Sequence, residues 1–161
     1  MAGAEEESLS KQADHVLEEA RMVLPGVQAL FGFQLIAVFN QRFETLSETH
    51  QDIHLAALFA VALAIAFIMT PAIYHRLAEP TSVSVAFVRL ASRCLAATAV
   101  PLLAGIGLEF YLVATLIEPR LHLNAVLTAI VVATFAGLWF VLPLVRRART
   151  RRTARSRSPR D

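Results

Sequence analysis

Four long apolar stretches alternate with polar connections along the chain: Val23–Phe39, Leu55–Tyr74, Leu95–Ile117 and Leu123–Val145. Together they hold 83 residues, and Glu109 is the only charged one; the other 27 charged side chains lie outside them. A helix needs about 20 apolar residues to cross roughly 30 Å of hydrocarbon, where each backbone polar group must find its partner inside the helix. The pattern predicts an all-α integral membrane protein, a bundle of four transmembrane helices. Short connections predict that these pair as two antiparallel hairpins.

Before the first stretch, Leu9, Ala13, Val16, Leu17, Ala20 and Leu24 fall on one face of a helix, with Asp14, Glu18 and Glu19 elsewhere. This predicts an amphipathic N-terminal helix lying at the membrane interface, packed on the protein's own basic surface and preceded by a disordered acidic tip over residues 1–8. The expected organisation is an acidic segment with the amphipathic helix (1–22), a four-helix transmembrane domain (23–145) and an arginine-rich cytoplasmic tail (146–161). Pro25 is expected at the start of the first crossing. Thr45 and Glu48 have capping-box spacing for the second crossing. Thr81 or Ser82 is expected to cap the next helix, Pro101 to kink the third crossing, and Glu118-Pro119-Arg120 to form a tight turn.

Composition agrees with this reading. Hydrophobic residues make up 56% of the 161 and charged residues 17%, against about 45–50% and 25% in soluble domains. A soluble globular enzyme, a disulfide scaffold and a disordered chain are all excluded. The single cysteine, Cys94, cannot form an internal disulfide. An acidic start argues against a cleavable signal peptide. The formal net charge of +2 conceals segregation, since residues 1–22 carry six acids and residues 146–161 carry eight arginines and one acid. Of the 15 basic residues, 13 lie in the N-terminal segment, in residues 75–94 or in the tail. The positive-inside rule then puts both termini in the cytoplasm. Fourteen arginines against one lysine, with much alanine, point to a high-GC bacterial genome. Arg146, Arg147, Arg149, Arg151 and Arg152 are candidates for gripping anionic lipid headgroups. No aromatic residues interleave the tail, so no nucleic-acid partner is expected.

Small residues recur every four positions at Ala56, Ala60 and Ala64, and again at Ala125, Ala129, Ala133 and Gly137. Such ridges let helix backbones approach closely, which matters where lipid supplies no hydrophobic drive between helices. They predict that the second and fourth crossings are central, or that they join a second copy or another membrane protein.

Glu109 is the sharpest candidate for chemistry. An ionisable residue within a membrane helix is costly and is usually turned toward protein or water. At 1.5 Å per residue it sits about 12 Å from Ile117, with Gly105 one turn earlier leaving room for a partner. Gln34 is at comparable depth on the first crossing, and Thr128 and Thr134 straddle that level on the fourth. A carboxyl held by these groups can exchange a proton, so Glu109, Gln34, Thr128 and Thr134 form the candidate proton or ion site. His50 and His54, four apart, share a side of the second crossing's start, with His122 at the same membrane surface. Ordinary interfacial histidines explain them better than a metal. No motif for a cofactor or for nucleophilic catalysis is present, so no cofactor and no enzymatic activity are expected.

The runs Leu24-Pro-Gly-Val-Gln-Ala-Leu-Phe-Gly-Phe, Asn40-Gln-Arg-Phe43, Thr70-Pro-Ala-Ile-Tyr-His-Arg76 and Leu138-Trp-Phe-Val-Leu-Pro-Leu144 together resemble an uncharacterised bacterial family of four-helix membrane proteins. The resemblance covers about residues 10–147. It implies a four-helix fold and a plasma-membrane location, and no catalytic residue. Members are sometimes labelled sodium:proton antiporters. The expected function is that of a structural, regulatory or adaptor component working through helix packing. The alternative is a proton-linked cation transporter acting as an oligomer, with Glu109 as proton carrier.

Overall fold

The computed structural model describes the backbone of residues 2–117 and 120–156, and side chains over 7–117, 120 and 122–150. Among these residues the chain is helical, with turns and no strand. The elements are α1 (Ala2–Ala37), α2 (Gln41–Glu44), α3 (Glu48–Ala78), α4 (Val85–Ile117), α5 (Leu121–Ala136), a π-helical turn (Gly137–Val141) and α6 (Leu142–Ser156). Four helical stretches are long and apolar enough to cross a membrane: Glu7–Ala37, Glu48–Ala78, Val85–Ile117 and His122–Thr150. The chain divides into two units, Met1–Leu112 and Val113–Asp161.

In the first unit α1, α3 and α4 pack along their lengths. Ala20 and Val27 of α1 meet Val61, Ala64 and Ile68 of α3, with Leu95 and Leu102 of α4 against them. The α3 packing line is thus Ala57, Val61, Ala64, Ile68 and Pro71, all buried. Of the expected ridge only Ala64 is buried, while Ala56 is exposed. Gly105 lets α4 approach α3 closely. A methyl group there would stand 2.6 Å from Val61 Cγ2 and 3.3 Å from the Ala57 carbonyl oxygen.

The N-terminal segment differs from expectation. The amphipathic helix and the first crossing are one continuous helix of 36 residues, running through Pro25. Helix begins at Ala2, so residues 2–8 are not a disordered tip. The stripe does exist, but it is apolar-to-apolar. Ala13, Val16 and Leu17 pack on Phe87, Val88 and Ala91 of α4 rather than on a basic surface. At 1.5 Å per residue α1 is about 54 Å long, well beyond the hydrocarbon thickness.

Helix starts also differ. Ser47, not Thr45, caps α3, its hydroxyl accepting from the His50 N–H. Thr45 instead donates to the Arg42 carbonyl at 2.8 Å. Ser84, not Thr81 or Ser82, accepts from the Phe87 N–H at 3.0 Å at the start of α4. The Glu79 carboxylate in turn accepts from the Ser84 N–H and hydroxyl, at 3.0 and 2.8 Å, and closes this connection into a tight loop.

In the second unit α5, the π-helical turn and α6 follow without a break. The wide turn has a local cause. Pro143 lacks an N–H and its ring crowds the carbonyl four residues back, and one i→i+5 turn relieves that crowding. The Leu142 N–H accordingly bonds the Gly137 carbonyl. The arginine tail continues the helix to Ser156. Ala125, Ala129 and Ala133 are exposed, and nothing lies within 4 Å of a methyl placed on Gly137. Glu118 and Pro119 of the expected turn lie outside the described residues.

Candidate functional site

Glu109 turns into the first unit. Its Oε2 accepts a hydrogen bond from Gln34 Nε2 at 3.2 Å and stands 3.3 Å from His54 Nδ1. His54 Nε2 is 3.0 Å from the Gln34 main-chain oxygen. One residue from each of α1, α3 and α4 therefore meets the other two. His54 is 2% exposed and Glu109 20%, so imidazole and carboxyl face each other largely away from solvent and lipid.

The hydrogen-bond chemistry fixes more than the distances do. A main-chain carbonyl only accepts, so His54 Nε2 must donate to Gln34. In a neutral imidazole that leaves Nδ1 as an acceptor. An ionised carboxylate also only accepts. The 3.3 Å approach of Nδ1 to Oε2 is therefore a hydrogen bond only when one proton lies between them, either as imidazolium with carboxylate or as imidazole with carboxylic acid. The pair holds one proton or loses its bond.

Local sequence explains the placement. Gln34 lies three residues before the end of α1 and His54 six residues into α3. A short connection reverses the chain between them and brings both to one end of the bundle, at the level of Glu109. The Asn40 side chain starts α2 by accepting from the Arg42 N–H. Gln51 Nε2 donates to the Phe43 and Leu46 carbonyls, at 3.4 and 3.2 Å, and draws the connection onto α3. Phe43 then presents its ring against His54, with centroids 5.2 Å apart and planes at 68°. The pair is thus covered from the side of the connection.

Of the sequence-predicted site, Gln34 and Glu109 come together. Thr128 and Thr134 belong to the second unit. There the Thr134 hydroxyl donates to the Ile130 carbonyl at 2.8 Å, and the Thr128 hydroxyl is buried with no hydrogen-bond partner among the described residues. His54 was expected to be interfacial beside His50, yet it is the acid–base partner of Glu109. His50 turns to the Ser47 hydroxyl at 2.8 Å, so the two histidines do not converge. Among the described residues no three His, Cys, Asp or Glu side chains gather as a metal site. The Gln34 Oε1 is buried and has no partner among the described residues. In the tail, Arg146, Arg147 and Arg149 are exposed on α6. Arg151 and Arg152 continue that helix, with side chains outside the described residues.

Four helices long and apolar enough to cross a membrane, with the acid Glu109 bonded into their packing, define a helical membrane protein. The chain belongs to a family of unknown function, DUF6328, whose family model matches residues 3–143. No curated protein and no solved structure matches it.

Proposed function

We propose that this protein is a structural, regulatory or adaptor component of a bacterial plasma membrane. It works through helix packing with a second copy or another membrane protein, and it is not an enzyme. The observation that carries this reading is the Gln34–His54–Glu109 cluster, which ties three helices together through a bond that needs one proton. Withdrawing that proton sets two acceptors against each other in a poorly solvated site, which weakens the clasp between α3 and α4. The four crossings form two antiparallel hairpins with both termini cytoplasmic. Support for that orientation comes from the segregated basic residues, and support for a bacterial source from the arginine-over-lysine usage.

A second reading is proton-linked cation transport by an oligomer, with Glu109 as carrier. One observation favours it. Gln34 Oε1, buried with no partner among the described residues, and the carboxylate that the same amide's nitrogen bonds are oxygen donors of the kind a hard cation takes. Proton and sodium flux into proteoliposomes, measured for wild type and Glu109→Gln, separates the two readings. The regulatory reading expects no flux from either protein. Flux in wild type that the substitution abolishes would establish the transporter.

A further inference from the structure

At the other end of the first unit, a groove of about 450 Å³ opens between α1 and α3. Its polar lining is Arg21, His75 and Arg76, and its apolar lining includes Leu24, Ile68 and Met69. Among the described residues no acidic side chain lines it. Among the described residues neither Arg21 nor Arg76 is in an ion pair. A second cavity of about 490 Å³ shares His75 and Pro80 with the first and adds Ser10, Thr81 and Ser82. His75 stands between the two, its ring set edge-on against the buried Phe87 with centroids 5.0 Å apart.

Depth and charge together define the ligand. Arg21 lies two residues before the first apolar stretch and Arg76 two residues after the second, so both guanidinium groups sit where their helices leave the hydrocarbon. Leu24, Ile68 and Met69 belong to the apolar stretches and continue the groove into the membrane. A free inorganic anion would use the cations and leave the apolar wall unused. A neutral lipid would use the wall and leave the cations unanswered. The volumes fall within the roughly 300–1,000 Å³ of small-molecule sites.

We infer that this groove is a binding site for an anionic phospholipid: the phosphate sits between Arg21 and Arg76, an acyl chain lies along Leu24, Ile68 and Met69, and the polar headgroup reaches the hydroxyls of Ser10, Thr81 and Ser82. Guanidinium groups suit this task because they present a planar fork of donors to phosphate oxygens. The site does not depend on the role proposed for Glu109.

The test uses full-length protein in vesicles of four parts phosphatidylcholine to one part phosphatidylglycerol. Electron spin resonance of spin-labelled phosphatidylglycerol and phosphatidylcholine measures which lipid the protein immobilises. Wild type should show a saturable preference for phosphatidylglycerol. R21Q/R76Q should lower its relative affinity about tenfold, since each cation near the headgroup plane contributes a several-fold factor. R21K/R76K, which keeps both charges, should retain most of the preference and so separates binding from folding. Glutamine at Arg146, Arg147 and Arg149 should leave the saturable component in place. An unchanged preference in R21Q/R76Q, or its loss in the tail variant, would overturn the site. Displacement of the spin-labelled lipid by inorganic phosphate would overturn it as well, by showing a free-anion site.

Discussion

His54 Nδ1 and Glu109 Oε2 face each other at 3.3 Å, while the other ring nitrogen of His54 is committed to the Gln34 carbonyl. An acid that is costly in a membrane helix is thereby turned into a contact between helices. The arrangement predicts that substitutions at Glu109 differ by chemistry rather than by size. Glutamine, its amide nitrogen in the place of Oε2, can donate to His54 Nδ1 and, with the Gln34 amide turned over, to Gln34 Oε1, so it should cost far less than alanine. Alanine strands both Gln34 Nε2 and His54 Nδ1 and should cost about 2–4 kcal/mol. Denaturant unfolding in mixed micelles distinguishes the two, and equal losses for both would show that the hydrogen bonds contribute little.

Gly105→Ala should be disruptive despite adding one methyl group. Val61 is β-branched and stiff, and the Ala57 carbonyl is backbone, so neither can yield without moving α3. A loss of about 1–3 kcal/mol is expected from overpacking. Val61→Ala in the same chain should recover part of it, a coupling that a double-mutant cycle measures directly.

Much of this was legible in the sequence, and the reasons are particular. A single acid among 83 apolar-segment residues marks itself, and matching helix depth alone points from Glu109 to Gln34. His54 was not legible, because its spacing from His50 says only that the two share a side of one helix. Which residue of α1 or α4 that side meets depends on helix register, and the polar connection does not encode it in any simple pattern. Ser47 and Ser84 are not distinguished as caps by sequence, because neighbouring threonine and serine residues fit the same local rule. The continuity of α1 through Pro25 is a tertiary effect, since Ala13 and Ala20 are buried on either side of Leu17 and hold the N-terminal half in line.

Topology has its own test. Reporter fusions after Asp161 and within residues 44–50 should report opposite sides of the membrane, with the C-terminal one cytoplasmic. Reporters on the same side would contradict the number of crossings.

Replacing the eight arginines after Val145 with glutamine should weaken the overall preference for anionic lipids and make the C-terminal orientation less secure. Unchanged lipid preference and unchanged topology would assign the tail another task, such as contact with a protein.

The measurement that bears most directly on the central claim is nitrogen NMR of the His54 ring in lipid bilayers, compared between wild type and Glu109→Gln. Assignment comes from the loss of its signals in His54→Gln. The expected result is that Nε2 carries a hydrogen and donates to the Gln34 carbonyl, and that Nδ1 shares a proton with the Glu109 carboxyl in the wild type. In Glu109→Gln, Nδ1 should be an ordinary hydrogen-bond acceptor. An Nδ1–H tautomer with a bare Nε2, or the same Nδ1 signal with and without Glu109, would contradict a proton shared between these two side chains.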